Sequence, residues 1–126
     1  MAPIKHLKVL LVDDEVDFLN SIEKSLGRRD IEATITTNGH EALEILGQNA
    51  FDVVVLDVKM PGMDGYELFA QIHEIDPDLP IIMLTGHGTV SNAFKMSKQG
   101  VHAYLAKPCD VDELATALRS AALGLE

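Results

Sequence analysis

At 126 residues and 13.7 kDa, the chain fits one domain, long enough to bury roughly two-thirds of the surface its unfolded form exposes. Lys+Arg 10 against Asp+Glu 20 leaves a net charge of −10 and a pI near 4.8, which argues against nucleic acid or an anionic membrane as partner, since each needs a basic face. With 47% hydrophobic residues disorder is unexpected, and no wholly apolar run exceeds four residues against the ~18 a membrane helix needs. The first apolar run ends at Asp13-Asp14-Glu15 rather than at a small-residue cleavage site, unlike a signal peptide. Cys109, the single cysteine, has no disulfide partner within the chain. The expected compartment is the cytoplasm.

Leu7 to Val12 reads as a strand ending in acids. Val16, Leu19, Ile22 and Leu26 then recur at helical spacing up to Gly27. Glu32 to Thr36 is a short mixed strand. Asn38-Gly39-His40-Glu41 looks like a helix start with a capping acid, followed by Ala42, Leu43 and Leu46. Phe51 to Leu56 is apolar and β-branched, as a strand covered on both faces should be, and it ends in Asp57. Pro61 to Gly65 is a turn with an N-cap before the stripe Leu68, Phe69, Ile72 and Ile75. Ile81 to Leu84 is a buried strand ending at Thr85-Gly86-His87-Gly88, and a helix from about Thr89 to Gln99 stops at Gly100. Ala103 to Ala106 is the fifth strand. Asp110-Val111-Asp112-Glu113 caps the last helix, whose stripe is Val111, Leu114, Ala115, Leu118 and Ala122. Alternation of this kind favours an α/β fold, a parallel sheet with helices on both faces.

In open α/β sheets ligands bind beyond the carboxyl ends of the strands. Here those ends carry Asp13 and Asp14, then Asp57, Thr85 and Lys107. Any one of them alone reads as a cap or a solvated turn; together they read as a site. Two carboxylates about 4 Å apart repel by roughly 4 kcal/mol at an effective dielectric near 20, so such a cluster calls for a cation. Oxygen-only ligands with room for water suit Mg²⁺ and a phosphate oxygen. An ionised aspartate there can attack phosphorus to form an aspartyl phosphate, while metal and lysine neutralise the oxygens of the transferring group.

Four segments, Val12 to Glu15, Leu56 to Gly65, Leu84 to Gly86 and Tyr104 to Pro108, give the chain from about Lys8 to Ala122 a close resemblance to the receiver domains of two-component response regulators. The resemblance implies a flavodoxin-like, doubly wound five-stranded parallel sheet of order 2-1-3-4-5 with five helices, a receiver domain spanning residues 1–126 with its core at about 7–123. It implies Asp57 as phosphoacceptor and Mg²⁺ as cofactor. Asp14 would bind the metal directly and Asp13 chiefly through water, with Asp57 and the Lys59 backbone carbonyl as further ligands. Thr85 and Lys107 would hold the phosphoryl oxygens, and Tyr104 would be the switch aromatic. Lys107-Pro108 would carry a cis peptide bond. The implied partners are a sensor histidine kinase or histidine phosphotransfer protein and an unidentified downstream protein, with a phosphorylation-dependent homodimer as a further state. On this reading the chain is a signalling switch that catalyses only its own phosphorylation and dephosphorylation.

Lys59 and His87 stand at positions that vary within the family and are thought to tune dephosphorylation; as direct catalysts both are better read as surface residues. Cys109 reads as a small buried hydrophobe whose thiolate Asp110 disfavours. His6, His40, His73 and His102 have no ligand-like spacing. Gly86 either keeps the phosphoryl entrance open or serves the turn, and Lys95 and Lys98 belong to a solvated face or a partner surface. Two other classes use related parts. A haloacid-dehalogenase-type phosphatase places an Asp-x-Asp motif after its first strand, where this chain has adjacent Asp13-Asp14. A flavodoxin cradles phosphate in a Ser/Thr-rich loop there, which Asp-Asp-Glu would repel.

Overall fold

Strands β1 (Leu7–Val12), β2 (Ile31–Thr36), β3 (Val53–Leu56), β4 (Ile81–Thr85) and β5 (Ala103–Ala106) alternate with helices α1 (Val16–Gly27), α2 (Gly39–Gln48), α3 (Gly65–Ile75), α4 (Val90–Gln99) and α5 (Val111–Ala122). This is a computed structural model, and it describes residues 6–60, 62–86 and 90–124. All strands are parallel, in the order β2-β1-β3-β4-β5, so the expected doubly wound sheet is the one found. No helix among the described residues is long and apolar enough to cross a membrane.

Successive strand residues point to opposite faces, and the consecutive apolar positions therefore feed two cores. Leu7, Val9 and Leu11 of β1, Val53 and Val55 of β3, and Ile82 and Leu84 of β4 pack with α1 and α5. Leu10, Val12, Val54, Leu56, Ile81 and Met83 face α2, α3 and α4. Four of the five methionines, Met60, Met63, Met83 and Met96, lie in this second core.

Some expectations change in detail, and β2 begins at Ile31, one residue before Glu32. β3 begins at Val53, not Phe51. The Asp52 amide donates to the Lys8 carbonyl at 2.7 Å, but the Asp52 carboxylate, not a main-chain carbonyl, accepts from the Lys8 amide at 2.8 Å. The side chain thus replaces one rung of the ladder. Val16 and Ile75, read as part of buried stripes, are exposed at 54% and 75%: each is the terminal residue of its helix, past the sheet that covers the rest of the stripe. Asn38 caps α2 by accepting from the amides of His40 and Glu41 at 2.8 and 3.1 Å, but the Glu41 carboxylate goes to the Thr36 hydroxyl instead of closing a capping box.

Candidate functional site

Main-chain bonds gather the carboxyl ends of the strands. The Asp13 amide donates to the Thr36 carbonyl at 3.2 Å, the Asp57 amide to the Val12 carbonyl at 2.9 Å, and the Lys107 amide to the Thr85 carbonyl at 3.0 Å. Asp13, Asp57 and Thr85 are buried there despite their polarity. Asp13, Asp14, Glu15 and Asp57 each bring one carboxylate oxygen within 4.8 Å of the others. The Lys107 ammonium reaches into this cluster, 2.6 Å from Asp13 Oδ2, 2.6 Å from Glu15 Oε1 and 3.6 Å from Asp57 Oδ2, with the Phe18 ring centroid 4.5 Å away.

Asp57 is fixed from two sides. Its Oδ1 accepts from the Val58 amide at 2.7 Å, which leaves Oδ2 as the oxygen on the lysine side. Beneath it, the Gly65 amide donates to the Val58 carbonyl at 2.6 Å. A Cβ at Gly65 would fall 1.9 Å from the Asp57 carbonyl oxygen. The start of α3 is therefore pressed against the acceptor's own backbone, with Asp64 capping the helix through the amides of Tyr66 and Glu67 at 2.7 and 3.0 Å.

The charges adjust to one another. Burial pushes the Asp13 carboxyl above its ordinary range, and the hydrogen bonds from Lys107 and the Glu15 amide only partly oppose it. For Lys107, burial alone would favour the neutral amine. The hydrogen bonds to Asp13 and then Glu15 outweigh it, so the ammonium is held more firmly than usual.

The expected residues therefore converge, in tiers. Asp13, Asp57 and Lys107 are in mutual reach; Asp14 is exposed on the rim of a cleft of about 740 Å³ shared with Glu15, Phe18, Asp57, Gly86 and Lys107. Asp14 also borders a second hollow with Lys59, Met60 and Asp64. Thr85 is buried one strand away. Tyr104, half-buried on β5, points its hydroxyl at that of Tyr66, 3.0 Å away. The Lys107–Pro108 peptide is cis. Among the described residues, a Cβ at Gly86 would meet Lys107 Cβ at an ordinary 3.9 Å and nothing nearer.

Of the remaining residues, His6 is exposed between Asp30 and Glu32, and hydrogen bonds to Glu32 and then Asp30 favour its protonated form. His73 stacks on Phe69 at a centroid distance of 5.2 Å, while His40 is exposed and His102 half-buried. Lys59, Lys95 and Lys98 are exposed. Cys109 is half-buried, and its thiol is pushed up to about 11 by burial first and the Glu113 carboxylate second, with Asp110 contributing least. Pro61 and the segment His87 to Thr89 lie outside the described residues. Sequence reasoning missed Glu15, Phe18, Gly65 and Tyr66. Two of these left a trace, Glu15 as the last acid of the Val12 to Glu15 segment and Gly65 as the last residue of a turn motif.

The model of the response regulator receiver domain matches residues 9–119. The chain belongs to that family. It is 36% identical over 117 residues to the transcriptional regulatory protein GlrR of Escherichia coli, covering 93% of this chain and 26% of the relative. With the DNA-binding transcriptional regulator NtrC of the same organism it shares 39% identity over 105 residues, 83% of this chain and 22% of the relative. The receiver domain thus spans about a quarter of the length of the curated relatives it matches. Among solved structures, a response regulator receiver domain protein from Clostridium thermocellum superposes with a TM-score of 0.88 at 34% identity, covering 94% and 95% of the two chains. The apo receiver domain of nitrogen regulatory protein C gives 0.85 at 34% identity, covering 96% and 98%. The receiver domain is the phosphoacceptor module of a two-component response regulator, and its acidic cluster has the oxygen-only donor set that Mg²⁺ takes.

Proposed function

We propose that Asp57 is the phosphoacceptor and that residues 1–126 form one receiver unit with its core at about 7–123. A sensor histidine kinase or histidine phosphotransfer protein supplies the phosphoryl group in the cytoplasm. The observation that carries this reading is the placement of Asp57 Oδ2: its sister oxygen is tied to the Val58 amide, and it faces the Lys107 ammonium at 3.6 Å. A carboxylate oriented by one fixed hydrogen bond is pre-aimed for attack. Its free oxygen forms the new P–O bond while the P–N bond of the donor breaks and the electron pair returns to the imidazole.

Asp14 and Asp57, the backbone carbonyl of Lys59 and, through water, Asp13 would hold Mg²⁺. When bound, the ion supplies positive charge against the phosphoryl oxygens. Lys107 and Thr85 hold those oxygens from the other side and relay their presence to Tyr104 and the α4–β5–α5 face. That face is read by an unidentified downstream protein. The domain turns over no other substrate.

Acetyl phosphate with Mg²⁺ tests the assignment. Intact-mass spectrometry is expected to show one base-labile phosphoryl group on the wild type, none on Asp57→Asn, and none on either in excess chelator. Equal labelling of Asp57→Asn would move the acceptor elsewhere.

A further inference from the structure

Glu15 occupies the N-cap position of α1, where an acidic side chain ordinarily accepts from the first helical amides. It makes no such bond. Its carboxylate instead extends across the cleft to Lys107 at 2.6 Å, while its own amide donates to Asp13 Oδ1 at 3.0 Å. Two of the three ammonium protons of Lys107 are thereby engaged by Asp13 and Glu15, and the Phe18 ring covers another side. A phosphoryl group on Asp57 needs that same ammonium.

Resting on the phosphoacceptor reading, we infer that Glu15 is a built-in competitor for Lys107, a positioning residue whose carboxylate holds the place of a phosphoryl oxygen until phosphorylation displaces it. The two carboxylates on the lysine are not equivalent. The Asp13 side chain is 5% exposed and anchored by the Glu15 amide, whereas the Glu15 side chain is 61% exposed and has no second partner among the described residues. Glu15 is therefore the one that yields. Its ion pair opposes the phosphorylated state and sets how readily Lys107 is released to it. A half-exposed pair of this type is worth little, so the effect is a trim on affinity, not an on–off control.

The test is a titration of the Mg²⁺-loaded domain with beryllofluoride, a stable phosphoryl mimic, followed by amide spectra. Glu15→Gln removes the charge. Glu15→Asp keeps it but is one methylene too short for the same reach. Both are expected to bind the mimic about two- to fivefold more tightly than wild type, the range that an exposed ion pair supports. In the ligand-free protein, both should also show faster exchange of the Lys107 ammonium protons with water. If Glu15→Asp behaves as wild type while Glu15→Gln binds more tightly, bulk charge is responsible and the inference fails. It fails equally if Glu15→Gln weakens Mg²⁺ binding by itself, which would make Glu15 a metal ligand. A wild-type domain that takes no beryllofluoride strikes the phosphoacceptor reading, and the inference with it.

Discussion

Tyr66 and Tyr104 meet hydroxyl to hydroxyl at 3.0 Å, joining the first turn of α3 to β5. Burial first, and the Tyr66 bond second, raise the Tyr104 phenol well above its ordinary range, so Tyr104 keeps its proton throughout the physiological pH span. The bond holds the proposed switch aromatic to a helix whose start is locked under Asp57. Tyr66→Phe is expected to release Tyr104 at a cost of about 1 kcal/mol. In amide spectra the variant should show, without any phosphoryl mimic, part of the change that beryllofluoride induces in α4 and β5 of the wild type. Unchanged α4 and β5 signals would mean the bond does not restrain the switch.

Gly65 offers a sharper contrast. A Cβ there would sit 1.9 Å from the Asp57 carbonyl oxygen and 2.8 Å from Val58 Cα, both backbone atoms that cannot swing aside. Gly65→Ala should lose about 2–3 kcal/mol in urea unfolding, as overpacked sites do, and should slow acetyl-phosphate labelling because Asp57 moves with its backbone. Gly62, at φ +85° with no described residue within 4 Å of a Cβ there, should lose only about 1–2 kcal/mol on substitution by alanine, the cost of the left-handed conformation alone. Equal losses at the two positions would overturn the steric account.

The Cys109 thiol, pushed up to about 11 by burial and by Glu113, is predicted to be sluggish toward alkylation. At pH 8 iodoacetamide should react about a hundredfold more slowly than with an unperturbed cysteine, because only the thiolate attacks. The rate should climb with pH toward 11, and Glu113→Gln should accelerate it. Rapid modification at pH 8 would refute this environment for the thiol.

Asp13 carries a pH signature in chelator. Its carboxyl is held above the unfolded value by burial, so the fold binds its proton more tightly than the unfolded chain does. Ionisation of Asp13 then costs stability: the cost is absent below the unfolded pKa, grows as pH rises, and is complete above the folded value. Asp13→Asn should accordingly be more stable than wild type at pH 7, by about 0.5–2 kcal/mol. The advantage should shrink as pH falls through the folded pKa and narrow again when Mg²⁺ is added. A lower urea midpoint for Asp13→Asn at pH 7 would show that the Asp13–Lys107 pair is structurally required.

Features that depend on residue type along a single strand were readable from the chain. Four apolar residues in a row followed by an acid declare a strand buried on both faces with a polar tip, and β1 and β3 are built that way. Asp13, Asp57, Thr85 and Lys107 could be assembled because parallel strands put all their carboxyl ends on one edge. Features that depend on how far a side chain reaches were not. Glu15 stands in the sequence only as the third acid after the first strand until its carboxylate is seen on Lys107, and Tyr66 gives no signal until Tyr104 meets it from 38 residues away. Phe51 fits a strand pattern, yet the Asp52 carboxylate takes over the ladder at that point.

The placement of methionine divides the molecule mechanically. The buried residues of the core under α1 and α5 are leucine, isoleucine, valine and alanine, whereas the core under α2, α3 and α4 adds Met60, Met63, Met83 and Met96 to those types. Branched side chains have few rotamers and resist rearrangement; an unbranched thioether adapts its shape at little cost. The second core is therefore the more compliant of the two. A displacement arising at the strand tips should be absorbed more readily as repacking beneath α4 than in the core under α1, so the direction of motion is written into the choice of hydrophobe on each side of the sheet. The same compliant core is where oxidants would do their harm, since a sulfoxide in it would convert an adaptable filler into a buried polar group.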